Sequence, residues 1–113
     1  MSASSGDFNR DGWPDIHLGA MFSSAGSRIT SQDRFRPELP QDVRDRFRRL
    51  ARGNTLFANA MKPEGGFTDA SEAAGITVGR WSWASLFADM DNDAWPDLLV
   101  ANGFVTGEIP DDL

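Results

Sequence analysis

Apolar residues in this chain come in short bursts, and their spacing separates strands from helix. Residues 16–21 read Ile-His-Leu-Gly-Ala-Met and residues 98–103 read Leu-Leu-Val-Ala-Asn-Gly. Short apolar stretches that close on Gly or Asn are the pattern of buried strands and are too brief for helices. Residues 81–88, Trp-Ser-Trp-Ala-Ser-Leu-Phe-Ala, predict a further strand, and residues 55–58 with 67–68 predict a hairpin. A short helical turn is expected at 71–74. Only residues 42–52 change period. There Val43, Phe47, Leu50 and Ala51 fall at i, i+4, i+7 and i+8, with Pro40 ahead and Gly53 at the stop, the pattern of an amphipathic helix. The elements describe a mainly β chain with one inserted helix. Trp81 and Trp83 share a strand face, where large aromatics fill a core more often than they stack on sugars.

Composition fits this picture without sharpening it. The 113 residues are 40% apolar and 25% charged, ordinary for a globular chain and enough for one modest core. The longest apolar run is 98–101, far short of the roughly 20 residues that span a bilayer. Residues 1–6 lack the positive charge and apolar centre of a signal peptide. With no cysteine there are no disulfides, thiolate–zinc sites or thiol nucleophiles.

Charge is more informative. Seventeen acidic against eleven basic residues give −6, yet eight of the bases lie between 28 and 52, so that segment nets +4 and the remainder −10. An acidic body of this kind repels nucleic acid and anionic membranes and attracts cations wherever its carboxylates crowd together.

They crowd in two places. Residues 7–15 read Asp-Phe-Asn-Arg-Asp-Gly-Trp-Pro-Asp and residues 89–97 read Asp-Met-Asp-Asn-Asp-Ala-Trp-Pro-Asp, both fitting D-x-[DN]-x-D-[GA]-W-P-D. Oxygens at alternate positions of a wrapped loop suit a hard cation, and calcium, which takes 6–8 oxygens in flexible geometry, fits better than magnesium. The candidate ligands are the side chains of Asp7, Asn9, Asp11 and Asp15 with the Trp13 carbonyl, and those of Asp89, Asp91, Asp93 and Asp97 with the Trp95 carbonyl. A helix-loop-helix calcium hand is excluded, because its twelfth position, a glutamate, falls here on Leu18 or Val100. The plain alternative, solvated acidic turns, accounts for one such loop more readily than for two that share Trp-Pro-Asp. The second loop has one more carboxylate than the first but Ala94 in place of Gly12. If that backbone is left-handed, alanine costs roughly 1 kcal/mol against glycine.

At an offset of 82 residues the loops and their strands superimpose, with Asp7/Asp89, Asp11/Asp93, Trp13/Trp95, Pro14/Pro96, Asp15/Asp97 and Phe22/Phe104 identical, so the chain carries an internal repeat. An Asp loop feeding an apolar strand resembles the FG-GAP/VCBS repeats of integrin-alpha-like β-propellers. The runs at 87–93 and 95–103, with Gly-Asn-Thr-Leu-Phe-Ala-Asn at 53–59 and 66–75, look like the ASPIC/UnbV (cartilage acidic protein-like) group. The resemblance implies a calcium-stabilised propeller with up to two calcium sites here and no catalytic residues. It also implies an extracellular, cell-surface or periplasmic parent protein used in adhesion or in binding a protein or glycan ligand. Ala60-Met-Lys-Pro-Glu-Gly-Gly66 stands where the family has an Asn-Gly-Asp-Gly turn, so that hairpin is expected to be irregular.

Propellers have 4–8 blades of four strands, so this length supplies one to two blades. The expected organisation is a single incomplete propeller segment: a first loop and strand over 1–27, an Arg-rich helical insertion over 28–53, and a hairpin with the second repeat over 54–113. Six residues ahead of Asp7 look too few for a strand matching 81–88, and 106–113 offer no closing strand. Exposed sheet edges would then pair with remaining blades or other chains.

Two other functions merit comparison. Arg44, Arg48 and Arg52 stand four apart and could bind an anion or glycan, but Asp42 and Asp45 interleave and no aromatic joins them, which favours a solvated or self-paired face. A metal-dependent hydrolase would need a base, and the single histidine, His17, lies on a presumed buried strand. Its expected role is structural.

Overall fold

A computed structural model describes residues 1–22, 24–62, 65–79 and 81–103. Its elements run β1 (Ser2–Gly6), β2 (Asp15–Gly19), α1 (Ser24–Thr30), α2 (Gln41–Ala51), β3 (Thr55–Asn59), β4 (Phe67–Asp69), β5 (Ser82–Ala88) and β6 (Asp97–Asn102). The fold is mainly β. Strands β1 to β4 form an antiparallel sheet in chain order, and β5 pairs antiparallel with β6 in a second sheet.

Two expectations need correction. The six residues before Asp7 do suffice for a strand: β1 pairs with β2 in unbroken register from Ser2↔Gly19 to Gly6↔Asp15. The Asp loop itself makes the turn, so five residues rising about 3.3 Å each cover all of β2. There are also two helices where one was expected, and the first, α1, begins at Ser24, ahead of the 28–53 insertion. Helix α1 shows no apolar period to announce it and is stabilised by α2, whose Arg48 Nε donates to the Thr30 carbonyl at 3.1 Å. The Phe104 match and the expected absence of a strand at 106–113 lie outside the described residues, as do Pro63 and Glu64 of the 60–66 turn.

The sheets pack through small and polar residues. On β2 the alternation is inverted: Asp15, His17 and Gly19 are buried, while Ile16 is half-buried and Leu18 exposed. The buried face meets β5. Ser2 and Ser4 hydroxyls lie 3.1 and 3.0 Å from the Ser85 hydroxyl, and a Cβ on Gly6 would stand 2.5 Å from the Phe87 ring. A Cβ on Gly19 would meet the hydroxyls of Ser2 and Ser82. Backbones this close leave no room for Leu or Val, so chemistry that reads as surface lines the interface. Among the described residues Leu56 is the buried apolar side chain, and the molecule is a slab of 46 × 45 × 19 Å.

Helix α2 starts where the Pro40 carbonyl accepts from Val43 and Arg44, both at 3.1 Å, and ends before Gly53, whose φ of 117° only glycine adopts freely. It sits on the β3–β4 end of the opposite sheet face. Arg49 lies 4.9 Å over the Phe57 ring and pairs with Asp69 at 2.8 Å, and Arg52 pairs with Asp69 at 3.0 Å and with Glu72. Burial alone would raise the Asp69 pKa, but hydrogen bonds from Ser71 and Arg49 outweigh it and hold the carboxyl well below the ordinary range. Arg48 engages Asp45 and Arg44 engages Gln41. All three arginines of the supposed anion-binding face therefore have partners within the chain.

Candidate metal centre

Each Asp loop joins the first two strands of its sheet, β1 to β2 and β5 to β6, and the two are wired alike. In the first, Asp7 Oδ1 and Oδ2 accept from the Asp11 and Gly12 amides at 2.9 and 2.8 Å. Asn9 Oδ1 also accepts from Asp11, Asp11 Oδ1 from Trp13, and Asp15 Oδ2 from Phe8, at 3.1, 2.9 and 3.0 Å. In the second, Asp89 accepts from Asp93 and Ala94 at 3.2 and 2.9 Å, Asp91 from Asp93 at 3.2 Å, Asp93 from Trp95 at 2.7 Å, and Asp97 from Met90 at 3.0 Å. The backbone repeats too. Positions four and six are left-handed in both, at Arg10 (φ 58°) and Gly12 (87°), and at Asn92 (61°) and Ala94 (64°). Ala94 thus occupies the conformation in which alanine is strained.

The second loop brings its first, third and ninth positions together. Carboxylate oxygens of Asp89, Asp91 and Asp97 all lie within 4.8 Å of one another, close enough to hold a metal ion. Like charges at that distance repel by about 1 kcal/mol per pair even at water's dielectric constant, and a cation between them would turn repulsion into attraction. Asp93 stands outside this triad, its Oδ1 committed to the Trp95 amide. In the first loop Asn9 replaces the third-position carboxylate and its Nδ2 donates to Asp11 Oδ2 at 2.9 Å.

Surroundings separate the loops. Asp15 is fully buried, its second oxygen accepting from the Asn59 amide on β3 at 2.7 Å, whereas Asp97 is exposed. Sequence reasoning did not single out Asn59, because a backbone N–H from a strand 44 residues away leaves no local signal.

The Trp13 and Trp95 rings do not pack beneath their loops: they are 52% and 48% exposed. Trp95 crosses to the other loop, its indole N–H donating to the Phe8 carbonyl at 3.1 Å while the Arg10 guanidinium lies 5.1 Å over its ring. Nor do Trp81 and Trp83 fill a core. Both are substantially exposed, because the small residues between the sheets leave no space for an indole, and Trp83 instead donates to the Gly103 carbonyl at 3.0 Å.

His17 is fully buried between the sheets, and neither ring nitrogen has a hydrogen-bond partner among the described residues. Burial lowers its pKa and keeps the ring neutral. No family model, curated protein or solved structure matches the chain.

Proposed function

We infer that the chain is a non-catalytic, calcium-binding β-propeller repeat module of the FG-GAP/VCBS, ASPIC/UnbV-like kind, serving structure and the binding of a protein or glycan ligand. One observation carries this reading: two loops 82 residues apart share five side-chain-to-amide hydrogen bonds and two left-handed positions, and the second gathers three carboxylates within 4.8 Å. Oxygen-only donors favour a hard cation, and an open, flexible set favours calcium over magnesium. A four-stranded meander followed by the first two strands of another sheet is also what one and a half propeller blades would contain.

In this reading the metal fastens each turn and so fixes the strands on either side of it, while ligands are met elsewhere on the assembled surface. Such modules act in adhesion, which places the parent protein outside the cell, at its surface or in the periplasm. His17, sealed between the sheets, has no access to a substrate. The test is a thermal melt of chelator-stripped protein with and without millimolar calcium. Binding to the folded state alone raises Tm, by RT ln(1 + [L]/Kd) in free energy. An unchanged Tm in calcium would refute the reading.

A further inference from the structure

The two Asp loops leave their sheets side by side. Strand β1 ends at Gly6 and β5 at Ala88, and the Gly6 backbone lies against the Phe87 ring, so the loops that begin at Asp7 and Asp89 start from neighbouring points on packed sheets. One side chain crosses between them. Trp95, the seventh residue of the second loop, donates its indole N–H to the Phe8 carbonyl at 3.1 Å, and the Arg10 guanidinium lies 5.1 Å over its ring. Phe8 and Arg10 are the second and fourth residues of the first loop. Trp13, the counterpart of Trp95, makes no matching contact with the second loop among the described residues.

The crossing is the middle of a hydrogen-bond chain that begins and ends on candidate ligands. At one end the Trp95 amide donates to Asp93 Oδ1 at 2.7 Å, and the Trp95 carbonyl is itself an expected ligand of the second loop. At the other, the Phe8 amide donates to Asp15 Oδ2 at 3.0 Å. Arg10 has a left-handed backbone (φ 58°), which a side-chain-bearing residue adopts at a cost. A cation seated over an indole face favours that arrangement. The first loop is thus fixed at its exit by the Asn59 amide on Asp15 and at its second and fourth residues by a side chain of the other loop.

We propose that Trp95 is a positioning residue that couples the two loops, so that calcium held in one strengthens the other's hold on calcium. The inference rests on the calcium reading of both loops and adds a regulation to it. With the Trp95 carbonyl engaged in the second loop, the direction of its indole is set. The indole then orders the Phe8 carbonyl and Arg10 in advance, so the first loop loses less freedom when it closes on its own ion. By linkage the effect runs equally in reverse. Direct repulsion between two bound cations opposes it but is present with or without the indole, so the share owed to Trp95 is the difference that replacing it makes.

Nuclear magnetic resonance of the isotope-labelled whole chain, stripped with chelator and titrated with calcium, tests it. The Gly12 amide reports the first loop and the Ala94 amide the second. In Asp89→Ala, where the first loop alone fills, its Kd should be about fivefold weaker than in the parent chain, the lower end of the range for coupled sites. Trp95→Phe keeps a ring and removes the N–H; it should weaken the first loop by a similar factor in the parent chain and add little in Asp89→Ala, where the coupling is already lost. Trp83→Phe, the same exchange away from the loops, should leave both affinities unchanged. The Trp95 indole N–H, assigned by its loss in Trp95→Phe, should exchange with water more slowly once calcium fills the first loop of Asp89→Ala, a readout that needs no change at Trp95. Circular dichroism melts exclude unfolding of the variants. Two filled loops whose affinities Trp95→Phe leaves at parent values, or an indole N–H indifferent to the first loop's filling, overturn the coupling and leave the calcium reading standing. Calcium that moves neither reporter amide in folded protein overturns the calcium reading and the coupling with it.

Discussion

The two Asp loops have the same hydrogen bonds and the same left-handed positions, yet the strands that leave them live in different surroundings. Asp15, His17 and Gly19 are sealed between β3 and β5, while Asp97 and Ala101 are exposed and Leu99 is half-buried. Loop shape therefore follows from the nine residues themselves, through carboxylates that bind their own amides. Burial follows from neighbours. The ninth-position carboxylate of the first loop is braced from outside by the Asn59 amide, whereas the carboxylate hydrogen bonds of the second all run to amides of its own turn.

Removing the bracing carboxylate should expose this difference most strongly. Asp15→Ala leaves the Phe8 and Asn59 amides without an acceptor and opens a cavity, and should cost about 2–4 kcal/mol in urea unfolding under chelator. Asp97→Ala, at an exposed site with one amide partner, should cost less than about 1 kcal/mol. Equal costs would mean that the sheets do not differ in packing. Next in size is Gly6→Ala, whose Cβ would stand 2.5 Å from Phe87 and should cost about 1–3 kcal/mol; Ala88, its counterpart, already carries that methyl group. Smaller still, Ala94→Gly should stabilise the second loop by roughly 1 kcal/mol and Gly12→Ala should destabilise the first by a similar amount, since both sites have positive φ.

The mildest effect concerns acid. Burial lowers the His17 pKa in the folded protein below its ordinary value of 6.5. As pH falls through 6.5 the unfolded chain takes up a proton that the folded chain refuses, so stability declines from there toward the folded-state pKa and is flat above. His17→Leu, which installs the residue found at Leu99, should remove that slope. Asp69 acts at lower pH. Its folded pKa is depressed, so the stability it contributes is present above 3.8 and lost below.

Much of this was legible in the sequence, and the failures share a cause. The loops, the β3–β4 hairpin, the strands after each loop and α2 follow from local rules: alternate oxygens, Pro-to-Gly helix limits and short apolar bursts. Strand β1 was missed because Ser-Ala-Ser-Ser-Gly is a strand only by virtue of β2 beside it and β5 above it. The inverted burial of β2 and the exposure of Trp81 and Trp83 were missed because periodicity equates apolar with buried. Here the closeness of two backbones selects for small size instead. At the site, the closeness of Asp89, Asp91 and Asp97 follows from their spacing, while Asp93, expected with them, stands outside the cluster; the Asn59 brace and the reach of Trp95 to Phe8 are long-range contacts with no local trace.

The central claim is that both loops are cation loops of one design. Calorimetric titration of calcium into chelator-stripped protein, with Asp7→Ala and Asp89→Ala alongside, tests it directly. Two sites in the parent chain and one in each variant, a different one lost each time, is the expected result. No binding heat at several temperatures, in protein shown to be folded, would contradict it and leave the loops as self-bonded turns.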